Sequence, residues 1–381
     1  MLKNQSISET NFYYSFIDGL RGIAVLMVLL VHTSHKVGNE HSGSFHFRLS
    51  EIFVNFGARG VQLFFLLSAF TLFNSSRSRY KVDKYPKINF YIRRFFRIMP
   101  FWILMIFFMA ILTNSIHDYN RIILNITFLF GFVRFIPGIE LVPPAWSLFV
   151  EETFYLMLPF LYLYIKDIFT AFRFFFLTLF LAVFWLLAAY KFKLPNTSEF
   201  IFLFPLSHYF AFALGITLYF LIVNEKFNNY ILNNSKYHFI LDSMGLISFC
   251  IVLLISDIWW TYIASTFALA LIFIASIPPK SLFGRLTRNK LLMRFGVYCY
   301  SIYLFHIPLL IVLEPIKIRI FSFIGLDGKS FVELKLLFYF PVVCLFSFCI
   351  AFFTFNLIEK PCINFGKKAI AKINSLILKY Y

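Results

Sequence analysis

Apolar stretches of bilayer length recur along almost the whole chain, and no other feature restricts its fold as strongly. A membrane helix needs about 17–25 mainly apolar residues. Such stretches occupy 17–35, 57–75, 98–115, 146–165, 174–190, 200–222, 239–256, 260–277, 296–313 and 335–358. In hydrocarbon the backbone must satisfy its own hydrogen bonds, so runs of this length are helical. The fold class is therefore all-α, a polytopic transmembrane helix bundle of about ten spans. With 60% apolar and 14% charged residues the chain has neither a soluble nor a disordered alternative. Its 56 Phe and 21 Tyr suit a lipid-facing surface. The segments between spans reach about twenty residues at most, so residues 1–381 are read as one membrane-embedded domain without a separate soluble domain.

The net charge of +17 acquires its meaning from its location. Eight basic residues and one acid lie in 77–97, five basic residues and no acid in 280–294, and five Lys follow Glu359. The positive-inside rule places all three in the cytoplasm, with the C-terminal lysines against anionic headgroups. Nucleic acid is thereby a poor partner, and the lipid bilayer a certain one. An even number of crossings must separate each pair of cytoplasmic segments, which ten spans satisfy. The short apolar piece 122–135, followed by Pro137, Gly138, Pro143 and Pro144, is then read as a re-entrant or interfacial segment on the outer side. Both termini fall in the cytoplasm of a multi-pass protein of the cell (inner or plasma) membrane. The first span carries Asp18 and Arg21 at its start and no small-residue cleavage pattern at its end, so it is expected to stay in the mature protein.

The five cysteines (Cys250, Cys299, Cys344, Cys349, Cys362) form no CxxC pair, and His41, His46, His117 and His238 have no ligand spacing, so no metal site is expected. Ionisable residues inside spans are costly and are functional candidates by default. Arg21 and His32 are eleven residues apart, about 16 Å along a helix and about 20° past three full turns, hence on one face. The fourth span opens with Trp146, Ser147 and the adjacent carboxylates Glu151 and Glu152, which point about 100° apart, so at most one of the two easily faces a given pocket. A Glu beside His32 would orient the imidazole as a general base; the plainer alternative is a carboxylate pair favouring a helix N-terminus. Ser68 and His306 are weaker intramembrane candidates, each more readily read as a packing or hydrogen-bonding residue of the bundle.

These pieces, in this order, resemble the acyltransferase 3 family of integral membrane acyltransferases. The resemblance rests on Asp18, Gly19, Leu20, Arg21 and Gly22 with His32, and on the 60–68 run ending in Ser68. It continues through Arg93, Arg94, Arg97 and Pro100, through Trp146, Ser147, Glu151, Glu152 and Tyr155, and through Tyr300, Ser301, Tyr303, His306 and Pro308 to Glu359, Lys360 and Pro361. Ala69 stands where the family usually has Gly. The resemblance implies transfer of an acyl group, most often acetyl, from cytoplasmic acyl-CoA to a hydroxyl of a cell-surface or lipid-linked polysaccharide. Acetyl-CoA is then a donor substrate, and no permanently bound cofactor is expected. Arg21, Arg93, Arg94 and Arg97 would hold the donor's phosphates. His32 would remove the acceptor's proton or briefly carry the acyl group. Glu151 or Glu152 would hold its tautomer, and Trp146, Ser147, Ser68 and His306 would line the substrate. The alternative class is a transporter or flippase of a lipid-linked saccharide, in which the same residues line a pathway.

Overall fold

The structure, a computed structural model, describes the chain apart from residues 1, 39–44, 134, 135, 137, 144, 192–200, 255–258, 327–331 and 381, and the described residues contain helices and no strand. In chain order the helices are α1 (Leu2–Gly38), α2 (Phe45–Ala58), α3 (Gly60–Tyr80), α4 (Pro86–Leu112), α5 (Tyr119–Ile126), α6 (Trp146–Tyr164), α7 (Ile168–Lys191), α8 (Tyr209–Val223) and α9 (Glu225–Asn233). They continue with α10 (Ser235–Leu254), α11 (Trp259–Ala275), α12 (Leu282–Thr287), α13 (Lys290–Val297), α14 (Cys299–Val312), α15 (Glu314–Phe323), α16 (Val332–Thr354) and α17 (Lys360–Tyr380).

Among the described residues six helical segments are long and apolar enough to cross a membrane: Ser15–Val37, Ile52–Tyr80, Pro86–Leu112, Ile168–Ala189, Lys236–Leu254 and Val332–Leu376. Two sharply bent pairs, Tyr209–Val223 with Glu225–Leu232 at 78° and Lys290–Val297 with Cys299–Val312 at 77°, raise the number to eight if each pair is one span. Length and apolarity thus support six to eight spans where ten were expected. The two that fall short are α6, whose 19 residues include Glu151 and Glu152, and the Thr261–Ala275 stretch. Both lie between the basic segments 77–97 and 280–294, so the parity argument holds whether both cross or neither does. The position between α7 and α8 separates the two cases. At 1.5 Å per residue α6 is about 29 Å long, nearly the hydrocarbon thickness, so a reporter fused after Lys193 is expected to be external. A cytoplasmic reading there, with Lys84 and Arg288 also cytoplasmic, would remove α6 from the spans. Lys193 and the corresponding first-loop position, His41, lie outside the described residues.

The chain divides into two compact units, residues 1–67 with 221–351 and residues 68–220 with 352–381. In the first unit α1 packs against α2, α12, α13 and α14. Its glycines explain how closely. A Cβ added at Gly19 would lie 1.6 Å from the carbonyl oxygen of Thr287, one at Gly22 would lie 2.0 Å from that of Leu292, and one at Gly296 would lie 1.8 Å from that of Asp18. Small residues allow this approach, and without a hydrophobic force between helices in lipid the close packing itself is what holds them. Val25 and Leu29 of α1 then join Ile302, Leu309 and Leu310 of α14 and Tyr339 and Val343 of α16 in one apolar core. A buried polar contact ties α3 to α11 in the same unit: the Ser265 hydroxyl donates to Gln62 Oε1 at 2.8 Å.

In the second unit α3 and α4 are anchored to α6 by phenol groups. Tyr80 donates to the Pro159 carbonyl at 3.0 Å and Tyr91 to that of Leu156 at 2.8 Å. Phe154 of α6 stacks on Phe212 of α8 with ring centroids 4.2 Å apart. Between α4 and α6, the piece expected to be re-entrant forms α5 and a 3₁₀ turn, Leu129–Phe132. Its polar backbone is satisfied by protein, as burial requires: Trp102 donates to the Asn125 carbonyl at 3.1 Å, and the Asn125 side chain bridges to Ile139 and Leu141. Beyond α16 a π-helical turn, Phe355–Glu359, leads into α17, which packs along α4 with Gly366 against Phe96.

Candidate active site

In the first unit α1 carries Arg21 and His32. Arg21 Nη1 lies 3.2 Å from Asp18 Oδ1, one turn earlier on the same helix. The His32 ring has its centroid 5.0 Å from that of His306 on α14 and 6.1 Å from that of His35. His306 is fully buried. Its Nδ1 is 2.5 Å from the Tyr303 carbonyl oxygen, and since a carbonyl only accepts, Nδ1 carries the hydrogen. His306 Nε2 is buried and has no hydrogen-bond partner among the described residues. Two histidines from distant parts of the sequence thus share one locus.

In the second unit Ser68 of α3 meets α6. Its hydroxyl donates to Glu151 Oε1 at 2.5 Å and is 2.7 Å from the Tyr155 hydroxyl, which also donates to Glu151. One carboxylate oxygen therefore gathers two hydroxyl groups. The Arg94 guanidinium lies 5.6 Å from the Tyr155 ring centroid and interacts electrostatically with Glu151, Glu152 and Arg97. A glutamate pair without a basic neighbour in sequence finds one in space. Glu152 Oε1 is buried without a hydrogen-bond partner among the described residues.

Arg93 and Arg94 also line a small open cleft of about 40 Å³, together with Arg79, Ser75, Ser76 and Tyr80. Arg93 is paired there with Asp83 at 2.5 Å. Arg97 is not among the lining residues. Trp146 begins α6, its backbone N–H donating to Glu140 Oε1 at 2.9 Å and its ring 5.2 Å from buried His208, while Ser147 is buried beside it in sequence.

The structure thus brings His32 to His306, and both Ser68 and Arg94 to Glu151. Sequence reasoning gave no role to Tyr155, Arg79, His208 or buried Arg59. The four-residue spacing of Glu151 and Tyr155 was a usable signal, because such residues are neighbours on a helix. Among the described residues no group of three or more His, Cys, Asp or Glu could hold a metal ion.

Residues 14–356 match the family described as an acyltransferase domain, acyltransferase 3. A peptidoglycan O-acetyltransferase, OatA, of Listeria monocytogenes is 27% identical over 173 residues, which take in 40% of this chain and 25% of that relative. No solved structure matches.

Proposed function

The chain belongs to the acyltransferase 3 family, and on that premise we propose that it moves an acyl group, acetyl above all, from cytoplasmic acyl-CoA to a hydroxyl of a cell-surface or lipid-linked polysaccharide. The name of the Listeria relative, a peptidoglycan O-acetyltransferase, supports a glycan acceptor. In this reaction the acceptor oxygen attacks the thioester carbonyl while a His32 ring nitrogen takes its proton. The carbon–sulfur bond then breaks, and the imidazolium returns the proton to the leaving thiolate. In the two-step variant His32 forms the acyl bond itself and the hydroxyl attacks that. Within the second unit Glu151 gathers the Ser68 and Tyr155 hydroxyls, and Glu152, next in sequence, has a buried carboxyl oxygen.

The observation that carries the reading is the cleft where Arg79, Arg93 and Arg94 converge with two serines. Guanidinium groups recognise phosphate in a bidentate manner, and CoA carries several phosphates. Changing Arg93 and Arg94 together to Gln is expected to weaken CoA binding at least about tenfold, since one hydrogen bond to a charged group contributes about 1.5–3 kcal/mol. Isothermal titration of CoA into the purified variant measures this. Unchanged affinity in a well-inserted variant would leave these arginines as topology anchors. The two bent helix pairs favour a second reading, transport of a lipid-linked saccharide, because broken helices line many transporter sites. Transfer of labelled acetyl from acetyl-CoA by the purified protein separates the two.

A further inference from the structure

A general base needs a second group to fix its ring, and His32 makes no hydrogen bond among the described residues. Its nearest aromatic neighbours are two histidines, His35 and His306. They differ in kind. His35 is exposed, and its ring is the farther one. His306 is fully buried, its Nδ1–H is committed to the Tyr303 carbonyl, and its Nε2 lone pair has no partner among the described residues. A buried acceptor without a donor is costly, and such a group calls for an explanation. Rings with centroids 5.0 Å apart can bring one nitrogen of each within hydrogen-bond reach, about 2.6–3.2 Å, by a small rotation. Catalytic hydrogen bonds are often longer before substrate binds.

We propose that His306 is the positioning residue of the acyl transfer: its Nε2 accepts a hydrogen bond from one ring nitrogen of His32, which leaves the other ring nitrogen of His32 as the base toward the acceptor hydroxyl. This rests on the reading of His32 as the base. The Tyr303 carbonyl fixes His306, His306 fixes His32, and the chain of bonds runs from the α14 backbone to the reacting atoms. A carboxylate has this place in serine hydrolases; a neutral imidazole of set tautomer offers the same acceptor without adding a charge to the membrane interior.

The test uses full-length protein in membrane vesicles and follows labelled acetyl from acetyl-CoA into the vesicle glycan fraction, with CoA binding as the check on folding. His306→Leu is expected to lower kcat at least about tenfold with KM for acetyl-CoA unchanged, by analogy with the loss on disturbing a base's orienting partner. His306→Gln, whose amide oxygen can take the acceptor's place, is expected to recover most of that loss. A normal kcat in His306→Leu, or a Gln variant as slow as the Leu variant, would overturn the proposal; so would a loss in His35→Ala larger than that in His306→Leu. A normal kcat in His32→Ala would instead overturn the underlying reading, whatever the His306 variants do.

Discussion

His32→Ala is expected to abolish detectable glycan acylation while membrane abundance and CoA binding stay close to wild type. A general base contributes about 10² to 10⁴ in rate, and a base that also carries the acyl group would contribute more. The structural cost is small, because His32 is only half-buried and makes no hydrogen bond among the described residues. Arg21→Ala should behave differently. It breaks a partly exposed pair with Asp18, and such pairs add little stability, so its expected effect is weaker donor binding. Glycan acetyl content and CoA affinity, measured on the same preparations, separate the two variants. Substantial acylation by His32→Ala together with its loss in His306→Ala would move the base to α14.

The chain's apolar runs made the helical class legible. Helix ends were read less well. The span expected at 98–115 belongs to a helix beginning at Pro86, because Arg93, Arg94 and Arg97 continue the helix although they are polar. The same holds at the other end, where the span expected at 335–358 extends to Leu376 through the lysine-bearing α17. Hydropathy marks what is apolar, and arginine and lysine are good helix formers all the same. The count of ten exceeds six to eight because α6 carries two carboxylates and the Thr261–Ala275 stretch is short. Residue type and cost singled out candidates, but not the partners that the fold gives them. Nothing in the sequence joins His32 to His306 or Glu151 to Ser68 and Arg94, since those pairings are made by packing between distant helices.

Replacing Gly19 by Ala is expected to remove most of the folded protein, although it adds a single methyl group. The new Cβ would lie 1.6 Å from the Thr287 carbonyl oxygen, and at Gly22 it would lie 2.0 Å from that of Leu292. Overpacking costs about 1–3 kcal/mol where side chains can shift. Here the obstructing atoms are backbone, so α1 must separate from α12 and α13, and the cost should exceed that range. The interface is reciprocal: a Cβ at Gly296 would lie 1.8 Å from the Asp18 carbonyl oxygen, so Gly296→Ala should reproduce the defect from the opposite helix. Leu291→Ala removes an exposed side chain on α13 and should leave stability near wild type. Yield of monodisperse protein in detergent and its thermal midpoint measure all of these. A wild-type midpoint for Gly19→Ala would show that the backbones are not in contact. Folding and chemistry are thereby separable on one helix, because the glycine variants lose acylation and CoA binding together, whereas His32→Ala loses acylation alone.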